Sequence, residues 1–391
     1  MDLARRTVAP TPRLPVFGWH VFAGERGAPI PSVLERPNRL FTTSGRAAIA
    51  LALRVLGIGP GDRVLLPTYH CPTMIAPVVQ MGAGPVFYPI AESGGPAFDF
   101  FAQLDLTGVR AMVAVHFFGL PQPMARMRAF CDQHRVALIE DCAHALFGTS
   151  EGRPVGAWGD LAIASLTKFL PVTEGGCLVS SSLPLEGLKL EPRRGRDELK
   201  ALLNSVELGS AHGRFQGLNT LLRGVFQLLG ALRGQQRTSE SVDVALPPPS
   251  VSEYSDELLW SQLTNVSRWI VKATHQSRIV ALRRRNYGLL AQLLEGAPGA
   301  RAYRVALPEG AAPYVFPLEV QNAPARYRAL RAARVPLFRW DRIWPGTPTI
   351  ERDHGLRWAT EMFQLGCHQD MSEEDVQALA ETVRQVFEAV G

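Results

Sequence analysis

The amino-acid sequence predicts an α/β protein: a mostly parallel sheet covered by helices, with a smaller C-terminal α+β domain. Short apolar runs of strand length alternate with helical runs from Thr43 to Ala164, and Gly/Pro turns separate them. After residue 256 the alternation gives way to longer helical patterns around few strands. Unbroken apolar strands are buried on both faces, as in parallel sheets crossed over by helices.

The first regular segment is a helix over 47–56, entered through Ser44-Gly45-Arg46 and closed by Gly57 before the turn Gly59-Pro60-Gly61-Asp62. The pattern then predicts strand 63–66, helix 75–81, strands 84–88 and 110–115, helix 124–134, and strands 136–140 and 161–164. Residues 1–37, rich in proline and glycine, are expected as an N-terminal arm, and 38–255 as the large domain. Within the latter, 181–252 departs from the alternation: a charged stretch, an apolar stretch over 218–232 broken by Arg223, then Pro247-Pro248-Pro249. This reads as an inserted or poorly ordered segment, in which an amphipathic helix over 218–232 would make a peripheral membrane or partner contact. A connecting helix over 256–294 opens the small domain, 256–391. There a strand over 314–320, a helix over 324–334 beginning at Pro324, and a last helix over 372–390 signalled by Ser372-Glu373-Glu374-Asp375 are expected.

A chain of 391 residues, 46% hydrophobic and 20% charged, can bury a large core. The net charge of +5 is spread over scattered arginines, which argues against a nucleic-acid groove. Arg283-Arg284-Arg285 points three ways from a helix and reads as a solvated face. Five cysteines without a C-x-x-C pair argue against a disulfide framework or zinc ribbon and fit a reduced cytoplasm. A metal site built from His70-Cys71, Cys142/His144 and Cys367-His368 is not expected, because neighbours on an extended strand point to opposite faces. Neither an apolar leader nor a run of about 18 uncharged apolar residues occurs, so neither secretion nor a membrane span is expected.

In sheets of this kind ligands collect at the carboxyl ends of the strands, so the residues just after each strand carry the chemistry. Ser165-x-x-Lys168, after strand 161–164 and before Glu174-Gly175-Gly176, puts a hydroxyl and an amine on one strand-exit loop. The amine can condense with an aldehyde and the hydroxyl can bond a phosphate oxygen of the same cofactor. Only four lysines occur in the chain and none precedes Lys168. The same S-x-x-K spacing marks some serine hydrolases, where it opens a helix. Asp141 closes strand 136–140; there a carboxylate either caps a helix or keeps a pyridine nitrogen protonated. Ser44-Gly45 before a helix offers N–H groups to a phosphate.

Taken in order, these segments resemble the sugar-nucleotide aminotransferases of the DegT/DnrJ/StrS group. The matching residues are Thr43-Ser44-Gly45, Leu56 to Asp62, Leu66-Pro67-Thr68, His116 to Pro121, Glu140 to Ala145, Val155-Gly156 with Gly159-Asp160, Ser165 with Lys168, and Glu174-Gly175-Gly176. The resemblance implies the type I fold of pyridoxal 5'-phosphate (PLP) enzymes. It implies Lys168 as the Schiff-base lysine and proton shuttle, Asp141 on the pyridine nitrogen, and His144 beside the ring or its 3-oxygen. It also implies Ser44, Gly45 and Ser165 on the phosphate, a homodimer, an amino-acid donor, usually glutamate, and a keto-sugar nucleotide acceptor. The family's stacking ring follows its Pro-Ser/Thr step; here Tyr69 or His70 is expected to supply it, with His70 favoured. Gly217-Leu218-Asn219 lacks the arginine expected two residues on, where Leu221 stands. Arg339, Arg342 and His368 are candidate substrate ligands, with arginines stacked on aromatic rings as the alternative for the first two. Two other functions fit the same residues: a different PLP reaction on this fold, or a non-catalytic regulatory or scaffold protein.

Overall fold

The computed structural model describes residues 11–23, 27–232, 249–251 and 258–390. In chain order the first half contains β1 (Arg39–Thr42), α1 (Gly45–Val55), β2 (Arg63–Pro67), α2 (Pro72–Gln80), β3 (Gly84–Tyr88), β4 (Val109–Val115), α3 (Ala125–His134), β5 (Ala137–Asp141), the short pair β6 (Thr149–Ser150) and β7 (Arg153–Pro154), β8 (Leu161–Ser165) and β9 (Gly176–Ser180). Then come α4 (Gly195–Ala211), α5 (Asn219–Leu232), α6 (Asn265–Ala273), α7 (Gln276–Leu293), β10 (Ala300–Ala302), β11 (Val315–Val320), α8 (Ala323–Ala332), β12 (Leu337–Phe338), α9 (Gly355–Glu361), β13 (Met362–Gly366) and α10 (Glu373–Ala389).

Seven strands form one sheet in the order β1-β9-β8-β5-β4-β2-β3. Strands β8, β5, β4, β2 and β3 are mutually parallel, and β9 runs against both of its neighbours. The mostly parallel α/β fold read from the sequence is therefore the one observed. Helix α1 buries every residue from Ala47 to Leu53, the all-round apolar pattern of a helix enclosed by protein. Its start is fixed by Ser44, whose hydroxyl oxygen accepts from the Ala47 N–H at 3.1 Å. A second, antiparallel sheet, β10-β11-β13-β12, packs with α7, α8 and α10 around Tyr287, Phe316, Phe363 and Phe387.

The antiparallel return of β9 places glycines against the entrance to α1. Gly175 donates its N–H to the Thr43 carbonyl at 2.7 Å, and a Cβ on Gly176 would run into the Ser44 carbonyl. Gly176→Ala is therefore expected to lower stability by about 1–3 kcal/mol or more, read from the denaturation midpoint.

Three expectations are corrected. The described residues of 181–252, expected as an inserted or poorly ordered segment, hold two helices, and 233–248 and 252 lie outside the described residues. The charged half becomes α4, with Asp197 and Glu198 in its first turn, and Glu198 reaches out to accept from the Asn265 and Val266 N–H groups that open α6, at 2.8 and 3.0 Å. The apolar half becomes α5, flanked and lined by exposed Leu218, Leu221, Val225 and Leu228. Of the single helix expected over 256–294, residues 256 and 257 lie outside the described residues, 258–264 are not helical, and the remainder is broken at Thr274 and His275, both in extended conformation, into α6 and α7. Arg283, read as solvated, is fully buried. Among the described residues no helix is long and apolar enough to cross a membrane.

Candidate active site

Parallel strands bring their carboxyl ends to one edge of the sheet, so His116 after β4, Asp141 at the end of β5 and Ser165 at the end of β8 stand side by side. At that edge lies a cavity of about 190 Å³, lined among others by Ser44, Gly45, Cys71, Thr73, Asp141, His144, Ser165, Lys168 and Trp340. Ser44, Gly45, Asp141, His144, Ser165 and Lys168, distant in sequence and singled out separately, thus line one cavity.

Lys168 occupies a short helical turn, Leu166–Lys168, directly after β8. The turn is pinned by the Leu166 N–H, which donates to the Gly175 carbonyl at 3.0 Å. The Lys168 side chain is partly open toward the cavity, and its Nζ stands 5.3 Å from the ring centre of Tyr314 and 5.9 Å from that of Trp340. Desolvation lowers its pKa from the ordinary lysine value, with Cys71 and Asp141 opposing the shift. An amine so placed is a neutral nucleophile at lower pH than a surface lysine.

Asp141 is buried, and one of its oxygens accepts from the Ala143 N–H at 2.8 Å. Burial raises its pKa, against that hydrogen bond and the nearby charges of Lys168 and His116. The neighbouring Glu140 explains why several motif segments belong together. Its carboxylate accepts from Gly156, Trp158 and Gly159 N–H groups at 2.7, 2.9 and 3.2 Å, and from His116 Nε2 at 2.9 Å. Because His116 Nδ1 accepts from the Gln122 N–H at 2.9 Å, the proton of this ring sits on Nε2. Burial works against the Glu140 charge, yet these bonds hold its pKa below the usual range. The loops after β4 and β7 are thereby tied to one carboxylate on β5. His116, Glu140 and Cys142 place ligand-type atoms within 4.8 Å of one another, but the Glu140 oxygens are occupied by these four donors.

His144 is oriented by the same logic. Its Nδ1 accepts from the Phe118 N–H at 3.3 Å, which leaves the proton on Nε2, and that nitrogen is buried without a hydrogen-bond partner among the described residues. Burial pushes its pKa well below the ordinary value, so the ring is neutral and Nε2 is a donor. Phe118 has a φ of 63°, uncommon for a bulky residue. It is held there from both sides, since its carbonyl accepts from the Tyr314 N–H at 2.8 Å.

At the other end of the cavity the first turn of α1 presents Ser44 and Gly45, whose N-terminal N–H groups have no partner within the helix. A Cβ on Gly45 would come within 3.3 Å of the Ser165 Cβ, so glycine keeps the approach to Ser165 open. The start of α2 adds Thr73, whose hydroxyl donates to Cys71 Sγ at 3.1 Å. Helix N-termini with hydroxyls suit an anion.

Five expected residues lie outside the cavity lining. His70 donates from Nδ1 to the Pro67 carbonyl at 2.9 Å, accepts on Nε2 from the Trp344 N–H at 3.1 Å, and stacks on Phe87. Its ring is spent inside the core and does not supply the stacking face. Tyr69 is also buried, with its hydroxyl accepting from Gln364 Nε2 at 3.1 Å. After Pro67-Thr68 it is Cys71 that reaches the cavity, and the large ring lining it is Trp340, 4.7 Å from His144 and 5.1 Å from Tyr69 between ring centres. His368 donates from Nε2 to the Pro12 carbonyl at 2.8 Å and accepts on Nδ1 from the Asp370 N–H at 3.3 Å, fastening the N-terminal arm. Arg339 bonds Asp341 and lies 4.0 Å from the Tyr327 ring centre, and Arg342 is not part of the lining. Sequence reasoning passed over Cys71, Thr73, Trp340 and Tyr314. Thr73 alone had a signal, its place in the first turn after Pro72.

Burial lowers His70 and His368 to about 4. With folded values below the ordinary one near 6.5, the unfolded chain takes up their protons first. Stability should fall as pH drops from about 6.5 to about 4, by about 1.4 kcal/mol per pH unit for each ring. Denaturant unfolding at several pH values checks this slope.

The fold is that of the aminotransferases. The aminotransferase TlmJ from Streptoalloteichus hindustanus superposes with a TM-score of 0.64, covering 90% of this chain and 86% of that one at 21% identity, a likeness of fold. Residues 32–186 match the model of the DegT/DnrJ/EryC1/StrS aminotransferase family. The GDP-perosamine synthase of Vibrio cholerae is 36% identical over 143 residues, 36% of this chain and 39% of that protein. The UDP-N-acetyl-3-dehydro-alpha-D-glucosamine 3-aminotransferase of Acidithiobacillus ferrooxidans is 34% identical over 154 residues, 37% of this chain and 40% of that protein. The chain thus spans about two fifths of the length of the curated relatives it matches.

Proposed function

We propose that this protein is a PLP-dependent aminotransferase that moves an amino group from an amino acid, glutamate, to a keto-sugar nucleotide or related carbonyl acceptor. One observation carries the reading. A single cavity joins a desolvated lysine amine, a buried carboxylate, an imidazole N–H without a partner, and a helix N-terminus flanked by hydroxyls. That donor set fits PLP group by group. Ser44, Gly45 and Ser165 would hold the phosphate, Asp141 the pyridine nitrogen, and the His144 Nε2–H the ring oxygen, while Lys168 Nζ would condense with the aldehyde.

When bound, the cofactor supplies an electron sink for breaking the donor's Cα–H bond. Asp141 would keep the pyridine nitrogen protonated, and the His144 N–H would favour negative charge on the ring oxygen. Lys168 Nζ would take the proton from the donor α-carbon and deliver it to the carbon on the other side of the amino nitrogen. Apolar walls from Ile49, Met74, Val115 and Ile163 keep bulk water from that proton.

The same proposal takes the chain as a cytoplasmic homodimer with a cofactor-binding part over 38–255 and a smaller part over 256–391. The relatives' printed sugar and sugar-nucleotide activities support the acceptor class. The test is absorption spectroscopy of the protein loaded with PLP. A long-wavelength band that moves to shorter wavelength with glutamate, with one 2-oxoglutarate released per chain, is the expected result. A band that glutamate leaves unmoved, with no other amino acid moving it, would overturn amino transfer.

A further inference from the structure

Arg283 has its side chain 0% exposed, although its two neighbours in sequence are also arginines. Among the described residues no carboxylate pairs with it, and its donors go to four oxygens. Nε donates to Gln369 Oε1 at 2.8 Å, Nη1 to the Pro313 and Tyr314 carbonyls at 3.0 Å each, and Nη2 to the Lys168 carbonyl at 2.7 Å. The guanidinium carbon also lies 4.5 Å from the ring centre of Phe169. A buried cation survives only where oriented acceptors replace water, and here they come from three separate stretches of chain. Gln369 closes the arrangement, because its Nε2 donates to the Phe169 carbonyl at 2.7 Å.

We propose that Arg283, together with Gln369, is a positioning residue that sets the place and the burial of the Lys168 amine. The two side chains hold consecutive carbonyls, Lys168 and Phe169, while the same guanidinium holds the backbone of Tyr314, whose ring faces Lys168 Nζ and the His144 ring. The lysine turn and the aromatic wall beside it are thus set against each other by one rigid, planar fork. A flexible ammonium cannot hold three carbonyls in that geometry. Releasing the fork lets the turn move from Tyr314 and gives the amine water. Its consequence for catalysis rests on the role proposed above for Lys168; the positional claim does not.

Competitive labelling of the full chain with trace acetic anhydride across pH tests it without added cofactor. Modification is read by mass spectrometry for Lys168 and, as internal references, for the exposed Lys189, Lys200 and Lys272. In the wild type the Lys168 titration midpoint should lie below those of the references. In Arg283→Met, and independently in Gln369→Leu, the midpoint should move toward the references by up to one pH unit, about tenfold in reactivity, with the references unchanged. Arg283→Lys should restore part of the shift. Circular dichroism verifies that each variant is folded. Folded variants with an unmoved Lys168 midpoint would overturn the proposal, as would loss of the fold in both Arg283→Met and Gln369→Leu, which would make the contact purely structural. Protection of Lys168 by PLP in the wild type is read in the same samples, so failure of the cofactor reading appears separately.

Discussion

Lys168→Ala is expected to remove the long-wavelength band of the PLP-loaded protein and to lower the amino-donor half-reaction by on the order of ten-thousandfold or more, since nucleophile and proton carrier are lost together. The same substitution should leave stability unchanged or raise it. The Lys168 amine lies in a desolvated place where its charged form is disfavoured, and its Nζ meets aromatic rings rather than an ion-pair partner. Activity lost without stability lost is the signature of a residue kept for chemistry. A stability loss matching the activity loss would point to a packing role instead.

Asp141→Asn should lower kcat by on the order of a hundredfold to a thousandfold while keeping the shape of the cavity, because the amide cannot balance a protonated pyridine nitrogen. The pH dependence carries a sign. Burial raises the Asp141 pKa above the ordinary carboxylate value, and the group must be ionised to pair with the cation. Cofactor affinity should therefore be present above that raised pKa and weaken as pH falls through it, at a higher pH than for an exposed aspartate. In Asp141→Asn this acid limb should vanish, and affinity measured across pH by cofactor fluorescence checks it.

Much of the fold was legible because the parallel strands are short, apolar and buried on both faces, so β2 to β5 and β8 stand out by pattern alone. Strands β1 and β9 escaped notice because neither lies in a βαβ unit. In β1 only Thr42 is fully buried, and β9 begins at a glycine. Helix α4 was hidden by its charge: Glu198 looks like a surface residue in sequence but caps α6 in space. Of the cavity lining, His144 came from the family resemblance, whereas Lys168, Asp141, Ser165, Ser44 and Gly45 were legible because each ends or follows a strand or opens a helix. His70 was not, since a β-to-α turn does not reveal which of three successive side chains faces inward; the bonds to Pro67 and Trp344 decide that Cys71 does. Trp340 and Arg283 come from segments far along the chain, and no local periodicity predicts a long-range partner.

The most direct test of the central claim is reduction of the PLP-loaded protein with borohydride followed by peptide mass spectrometry. Only four lysines compete in this chain, and Lys189, Lys200 and Lys272 are all exposed. The account predicts one cofactor adduct per chain, on the peptide carrying Lys168, and its absence when glutamate is added before reduction. An adduct spread over the other three lysines, or none at all, would contradict it.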